Sequence, residues 1–257
     1  MGKKIEAVIF DWAGTTVDYG CFAPVQAFVE VFKEFGVEPT MEEVRKPMGM
    51  LKIDHIRTML QMERIQDLWK KEHGKESSEE DVIKMHDLFE SKLMNILDQF
   101  TDVKPYVLDT VDQIRKAGIK IGSTTGYTDK MMQVVVKGAK ENGYEPDTWF
   151  SPDSVGLKGR PYPYMVFKNL EALGVTSVEH AIKVGDTVSD ILEGKNAGLT
   201  SVGILEGSSE MGLSEAEYAA LSEVQKKELE EKVTKTYLDA GADYIIHNLS
   251  ELPDLVL

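Results

Sequence analysis

Residues 5–10, IEAVIF, form a short apolar run with β-branched residues that stops at Asp11, the pattern of a buried strand. Similar runs recur at 119–124 (IKIGST, behind Gly118), 181–184 (AIKV), 200–204 (TSVGI, behind NAGL) and 244–247 (YIIH). Helical patterns over 106–117, 128–142, 161–173 and 187–196 separate them. Strands alternating with helices of this length predict an α/β fold, a parallel sheet covered on both faces. Chemistry in such sheets sits at the carboxyl ends of the strands, where Asp11, Thr125 and Asp186 fall.

Residues 19–99 break the alternation. Helical patterns follow one another at 25–35, 41–46, 51–62, 63–73 and 79–98, without a strand signal. Thr40 and Glu43 have capping-box spacing, as do Ser214 and Glu217 in the acidic, helical stretch 208–241. The economical division is a core of 1–18 and 100–257, with 19–99 as an all-helical insert. Roughly 80 residues suffice for a small bundle that leans on a neighbour. Phe28, Phe32 and Phe35 are candidates for its core or for a dimer contact.

Composition narrows the function. The chain has 257 residues, 42% hydrophobic and 28% charged, which are globular values. A net charge of -15 argues against non-specific binding to nucleic acid or an acidic membrane. An anionic substrate would therefore need a locally positive site, made by a metal ion, a helix N-terminus or a few basic side chains. One cysteine, Cys21, excludes an internal disulfide. The apolar run in MGKKIEAVIF is too short for a signal peptide, and no stretch approaches a membrane span, so a cytoplasmic protein is expected.

Two segments carry chemistry. In DWAGTT, a carboxylate at a strand tip precedes a Gly-containing turn: Asp11 can attack phosphorus, and the turn amides can bind phosphoryl oxygens. In GDTVSD, Asp186 and Asp190 stand four apart where a strand passes into a helix. With Asp11 they form a carboxylate cluster that repels itself without a cation, and Mg²⁺ suits oxygen ligands of this kind.

The segments Asp11–Thr15, Thr125 after IKIGST, Arg160 in KGRPYP, and GDTVSD resemble, in order, the four motifs of the haloacid dehalogenase superfamily of phosphatases. The resemblance spans 11 to 190. It implies a Rossmann-like core, a Mg²⁺-assisted aspartyl nucleophile at Asp11, a Thr125 that hydrogen-bonds the phosphoryl group, and an Arg160 that balances its charge. It makes Asp11, the Ala13 carbonyl and Asp186 the metal ligands, with Asp190 supporting them. The helical insert is similar to the cap found after the first motif, and a homodimer through that cap is implied.

Most such phosphatases have a second Asp two residues after the nucleophile, to protonate the leaving oxygen. Here Ala13 stands there. That departure, with Lys52 in KPMGMLKIDH, STTGYT and GRPYP, resembles the phosphonatase branch, which hydrolyses phosphonoacetaldehyde. The physics of Lys52 agrees. Pro47 and Gly49 end the preceding helix, which places Lys52 in the first turn of the next, where a helix dipole disfavours an ammonium. A neutral amine attacks an aldehyde, and the resulting iminium accepts the electrons of a breaking C–P bond. No oxygen acid is then needed at position 13.

His55, three residues on, can assist proton movement. Met48 and Gly49 are candidates for the cap side of the pocket, Gly126 for substrate binding, and Tyr127, after the second motif, for contact with substrate or cap. Two other readings stay open: a C–O phosphatase with an unusual acid, and a non-catalytic protein that reuses the fold.

Overall fold

The computed structural model describes residues 4–257. Five parallel strands among them form one sheet: β1 (Ala7–Phe10), β2 (Lys120–Ser123), β3 (Ala181–Gly185), β4 (Thr200–Ile204) and β5 (Tyr244–Ile246), in the order β2-β1-β3-β4-β5. All four residues of β1 are fully buried because both faces of the sheet are covered. Val8 and Phe10 pack in the larger hydrophobic cluster with Val107, Val111 and Ile114. Ala7 and Ile9 point the other way, into a cluster with Val166, Leu170 and Leu173. The α/β expectation holds, and each of the five strand runs becomes a strand.

The core helices are α6 (Val107–Lys116), α7 (Asp129–Glu141), α8 (Tyr164–Leu173), α9 (Val188–Ala197), α10 (Glu215–Ala220), α11 (Glu223–Asp239) and α12 (Pro253–Val256). Between β1 and β2 lie α1 (Phe22–Glu34), α2 (Met41–Arg45), α3 (Lys52–Leu60), α4 (Glu63–His73) and α5 (Glu79–Met94). Phe28, Phe32, Ile56, Met59, Met85 and Phe89 fill the centre of this insert, fully buried; Phe35 is only partly buried against the same cluster.

Several boundaries differ from the periodicity, each for a local reason. Helix α1 begins three residues early because the buried Asp18 carboxylate accepts from Phe22 N at 2.9 Å and Ala23 N at 3.0 Å. Helix α8 starts only after Pro161 and Pro163, which supply no amide donors. The 208–241 stretch divides at Leu221, where Ser222 and Gln225 make a second capping box beyond that of Ser214 and Glu217.

The two connections between core and insert run side by side. Val17 bridges Val103, Lys104 N donates to Thr16 O at 2.9 Å, and Asp18 N donates to Asp102 O at 3.2 Å. No helix among the described residues is long and apolar enough to cross a membrane.

Candidate active site

Adjacent strand ends assemble the site. Because β1 lies between β2 and β3, the residues just past their carboxyl ends meet: Asp11 after β1, Thr125 after β2 and Asp186 after β3. The Asp11 amide donates to Val184 O at 3.0 Å, which fixes the β1 exit to the β3 exit. In the following turn, Gly14 N bonds to Val17 O, and three amides converge on Trp12 O. These bonds leave the Ala13 carbonyl out, available to a cation.

Ligand oxygens of Asp11, Asp186 and Asp190 lie within 4.8 Å of one another, all three residues buried. Their environments differ. Asp190 accepts from Lys183 Nζ at 2.5 Å, Thr187 Oγ1 at 2.6 Å and Arg160 Nη1 at 3.0 Å. Burial opposes its charge, but Arg160 and Lys183 hold its carboxyl below the usual range. Among the described residues Asp186 has only neutral hydrogen-bond donors, Thr15 Oγ1 at 2.9 Å and Ser209 N at 2.7 Å. Burial, then the charges of Asp11 and Asp190, push it well above the ordinary carboxylate value. An acidic group so placed calls for a cation, and Asp11, the Ala13 carbonyl and Asp186 offer the hard oxygen donors that a divalent ion takes.

Gly14 makes this approach possible. It has φ +89°, and a Cβ added there would fall inside the Asp186 carboxylate. Gly14→Ala is expected to displace Asp186 and weaken divalent-cation binding at least about tenfold. Isothermal titration calorimetry checks this; unchanged affinity would mean that Asp186 does not coordinate the ion.

Arg160 reaches across the same floor. Its Nη2 donates to Asp11 Oδ1 at 2.6 Å, so the guanidinium sets the plane of the Asp11 carboxylate. Burial works against its charge, but Asp190, Asp11 and Glu193 keep it firmly protonated.

The roof comes from the insert. Lys52 is the first residue of α3, as the Pro47 and Gly49 breaks predict, but its side chain is buried at 4% exposure. Its Nζ stands 5.0 Å from the centre of the Tyr127 ring and 6.0 Å from that of Phe28. Among the described residues no carboxylate oxygen comes within ion-pair distance of it. Burial is the largest cause that lowers its pKa.

Gly49 (φ +81°) presses on the core so closely that a Cβ would strike Thr187 Oγ1, while one on Gly126 would come within 2.8 Å of Met50 O. The resulting cavity, about 20 Å³, is lined by Asp11, Ala13, Lys52, Thr125, Tyr127 and Arg160, together with Cys21, Gly49, Gly126 and Thr187. Arg45 of α2 also bonds to the core, to Ser209 O at 3.1 Å, while it holds Gly20 O of the connection at 2.8 Å.

Two expected residues stand off the cavity. Met48 is buried but does not line it. His55 lies behind Lys52, its ring stacked 3.8 Å from that of Phe28, with Nε2 donating to Val44 O at 2.9 Å. Burial and the Lys52 charge hold it well below the usual histidine pKa, so it stays neutral and presents Nδ1 as an unpartnered acceptor.

Other residues were not legible as site residues. Lys104, buried with its pKa lowered to about 8, donates to Gly14 O and, at 2.8 Å, to Glu206 O. Thr124, Lys183 and Glu193 form the layer under Arg160. A lysine inside the apolar run AIKV was the one available signal.

The model for haloacid dehalogenase-like hydrolases matches residues 5–198, and a second, overlapping model of that kind matches 157–252. The chain is 54% identical to the phosphonoacetaldehyde hydrolase of Lysinibacillus sphaericus over 253 residues, 98% of this chain and 94% of that protein. It is 49% identical to that of Bacillus cytotoxicus, over 98% and 96% of the two. The crystal structure of a phosphonoacetaldehyde hydrolase-like protein from Oleispira antarctica superposes with a TM-score of 0.95 at 38% identity, over 98% of this chain and 91% of that one. With Asp11 and the buried Lys52 lining one cavity beside the acidic cluster, the chain belongs to the phosphonoacetaldehyde hydrolase family of the haloacid dehalogenase-like hydrolases.

Proposed function

We propose that this protein hydrolyses phosphonoacetaldehyde to acetaldehyde and phosphate through an imine on Lys52 and an aspartyl phosphate on Asp11. One observation carries the reading: a buried lysine amine without an acidic partner among the described residues faces the same small cavity as Asp11. Ala13 lines that cavity where an oxygen acid would serve a phosphate ester.

The neutral Lys52 amine adds to the aldehyde carbon, and loss of water gives the imine, protonated to an iminium. The C–P bond then breaks. Its electron pair moves into the iminium to form an enamine, while the phosphoryl group passes to an Asp11 oxygen. Arg160 and Thr125 stabilise charge on the phosphoryl oxygens. Water hydrolyses the aspartyl phosphate. The enamine takes a proton on carbon, and hydrolysis of the imine releases acetaldehyde and restores Lys52.

Mg²⁺, held by Asp11, the Ala13 carbonyl and Asp186, would supply positive charge to the phosphoryl oxygens. Asp190, already occupied by Lys183, Thr187 and Arg160, suits a supporting place. His55 Nδ1 suits an acceptor role in proton movement near Lys52, and Tyr127 gives the amine an apolar wall.

Residues 19–99 act as the cap in this scheme. A cavity of about 20 Å³ holds a single water, so Lys52 and its helix must swing away from the core to admit substrate. The homodimer through the cap belongs to the same proposal, and light scattering behind size exclusion tests it.

The function is tested by measuring both products from phosphonoacetaldehyde with Mg²⁺. Equimolar acetaldehyde and phosphate are expected, with p-nitrophenyl phosphate turned over at least about 10³-fold less efficiently, since no acid stands at position 13. The reverse preference would establish the C–O phosphatase instead.

A further inference from the structure

Beneath Arg160 lies a carboxylate that the scheme above does not use. Glu193, on α9, is fully buried. Its Oε2 accepts from Arg160 Nε at 3.0 Å and from Thr124 Oγ1 at 2.7 Å. The same Thr124 oxygen accepts from Arg160 Nη2 at 2.8 Å. Guanidinium, hydroxyl and carboxylate therefore close a ring of three hydrogen bonds, and Nη2, the corner nearest the chemistry, also holds Asp11 Oδ1.

We propose that Glu193 is a positioning residue for phosphoryl transfer: with Thr124 it fixes the guanidinium plane of Arg160 so that Nη2 faces the nucleophile and the incoming phosphoryl oxygens. The inference rests on the roles of Arg160 and Asp11 proposed above.

The geometry favours this over a purely structural ion pair. Lys183 already has a closer partner in Asp190, at 2.5 Å, and reaches Glu193 only at 3.6 Å. The short contacts of Glu193 are those to Arg160 and Thr124. Its second oxygen, Oε1, is buried without a partner among the described residues, a costly state for a carboxylate placed only for stability. An arginine anchored at Nε cannot turn about its long side chain, so Nη2 stays aimed at Asp11 Oδ1, beside the place where charge develops, with no reorganisation during the reaction. Without that anchor, Arg160 would be free to follow Asp11 and Asp190 and lose the angle needed for the phosphoryl group.

The test compares steady-state phosphate release by the Mg²⁺-loaded wild type, Glu193→Gln, Arg160→Lys and the double variant, with orthovanadate inhibition as a probe of transition-state binding. Glu193→Gln keeps the volume and one acceptor but loses the charge. It is expected to lower kcat by about 10–100-fold with KM within about threefold, and to raise the orthovanadate Ki in parallel. In the Arg160→Lys background the same change is expected to cost less than about threefold, because both act through one contact. A merely structural Glu193 would instead lower the melting temperature and leave kcat per folded molecule unchanged, and fully multiplicative losses would likewise overturn the proposal.

If Glu193→Gln does not fold, Thr124→Val removes the other arm of the ring. A kcat loss of about fivefold or more is expected there, and an unchanged kcat sinks the idea. A wild type that releases no phosphate overturns the functional reading itself. A wild type that turns over, with Arg160→Lys slow and Glu193→Gln at full speed, overturns only this inference.

Discussion

Lys52→Arg is expected to remain folded, bind divalent cation and release no measurable acetaldehyde from phosphonoacetaldehyde. The loss should reach at least about 10³-fold, or about 4 kcal/mol of transition-state stabilisation. Arginine keeps the positive charge that Asp11 and Asp186 feel, but a guanidinium stays protonated and cannot form an imine. The loss therefore isolates amine chemistry from electrostatics. Borohydride added with substrate should reduce the imine and leave an alkylated Lys52 detectable by mass, with no adduct in the variant. Cleavage by Lys52→Arg within tenfold of wild type would remove the imine from the mechanism.

The same experiment has a defined pH dependence. Burial is the largest influence on Lys52 and lowers its pKa from 10.5; Arg160 acts in the same direction, while Cys21, Asp11 and Asp186 oppose it. The protonated amine is inert, so raising the pH creates the nucleophile. Imine trapping should therefore rise with pH and level off below 10.5. A trapping rate that keeps climbing past that point would place Lys52 in an exposed, open-cap environment during attack.

Asp11→Asn gives the complementary result. Phosphate release should fall by about 10⁴-fold, because an amide oxygen is a poor nucleophile toward phosphorus. An Asn oxygen can still accept from Arg160 Nη2, which now holds Asp11 Oδ1 at 2.6 Å, so the local frame survives. Imine trapping on Lys52 should persist, since aldehyde capture does not use the carboxylate. The two variants thus cut the reaction on either side of C–P cleavage. Phosphate formation by Asp11→Asn near the wild-type rate would mean that water attacks phosphorus directly.

Much of the site was legible because its residues sit at boundaries that local pattern marks. Asp11 ends an apolar run, Asp186 follows another, and Lys52 follows a Pro and Gly break; each boundary appears where expected. Other features escaped because their cause is non-local. Helix-dipole reasoning gave the right direction for Lys52, but the dominant cause is burial where the insert meets the core. His55 shares a face with Lys52 in sequence, but packing turns it into the insert, against Phe28 and Val44 O. Glu193 looks like any polar residue of a helix until Arg160, 33 positions earlier, folds onto it.

The sequence by itself determined the alternation of strands and helices, the aspartate at the first strand's tip and the alanine two residues on, because hydrophobic period and residue chemistry act over a few neighbouring positions. Only the tertiary structure decided the strand order that gathers Asp11, Thr125 and Asp186, and the seating of Gly49 and Gly126 that brings Lys52 over them. Those depend on burial and close packing between segments far apart in the chain. Burial is also what lowers the Lys52 pKa and raises that of Asp186.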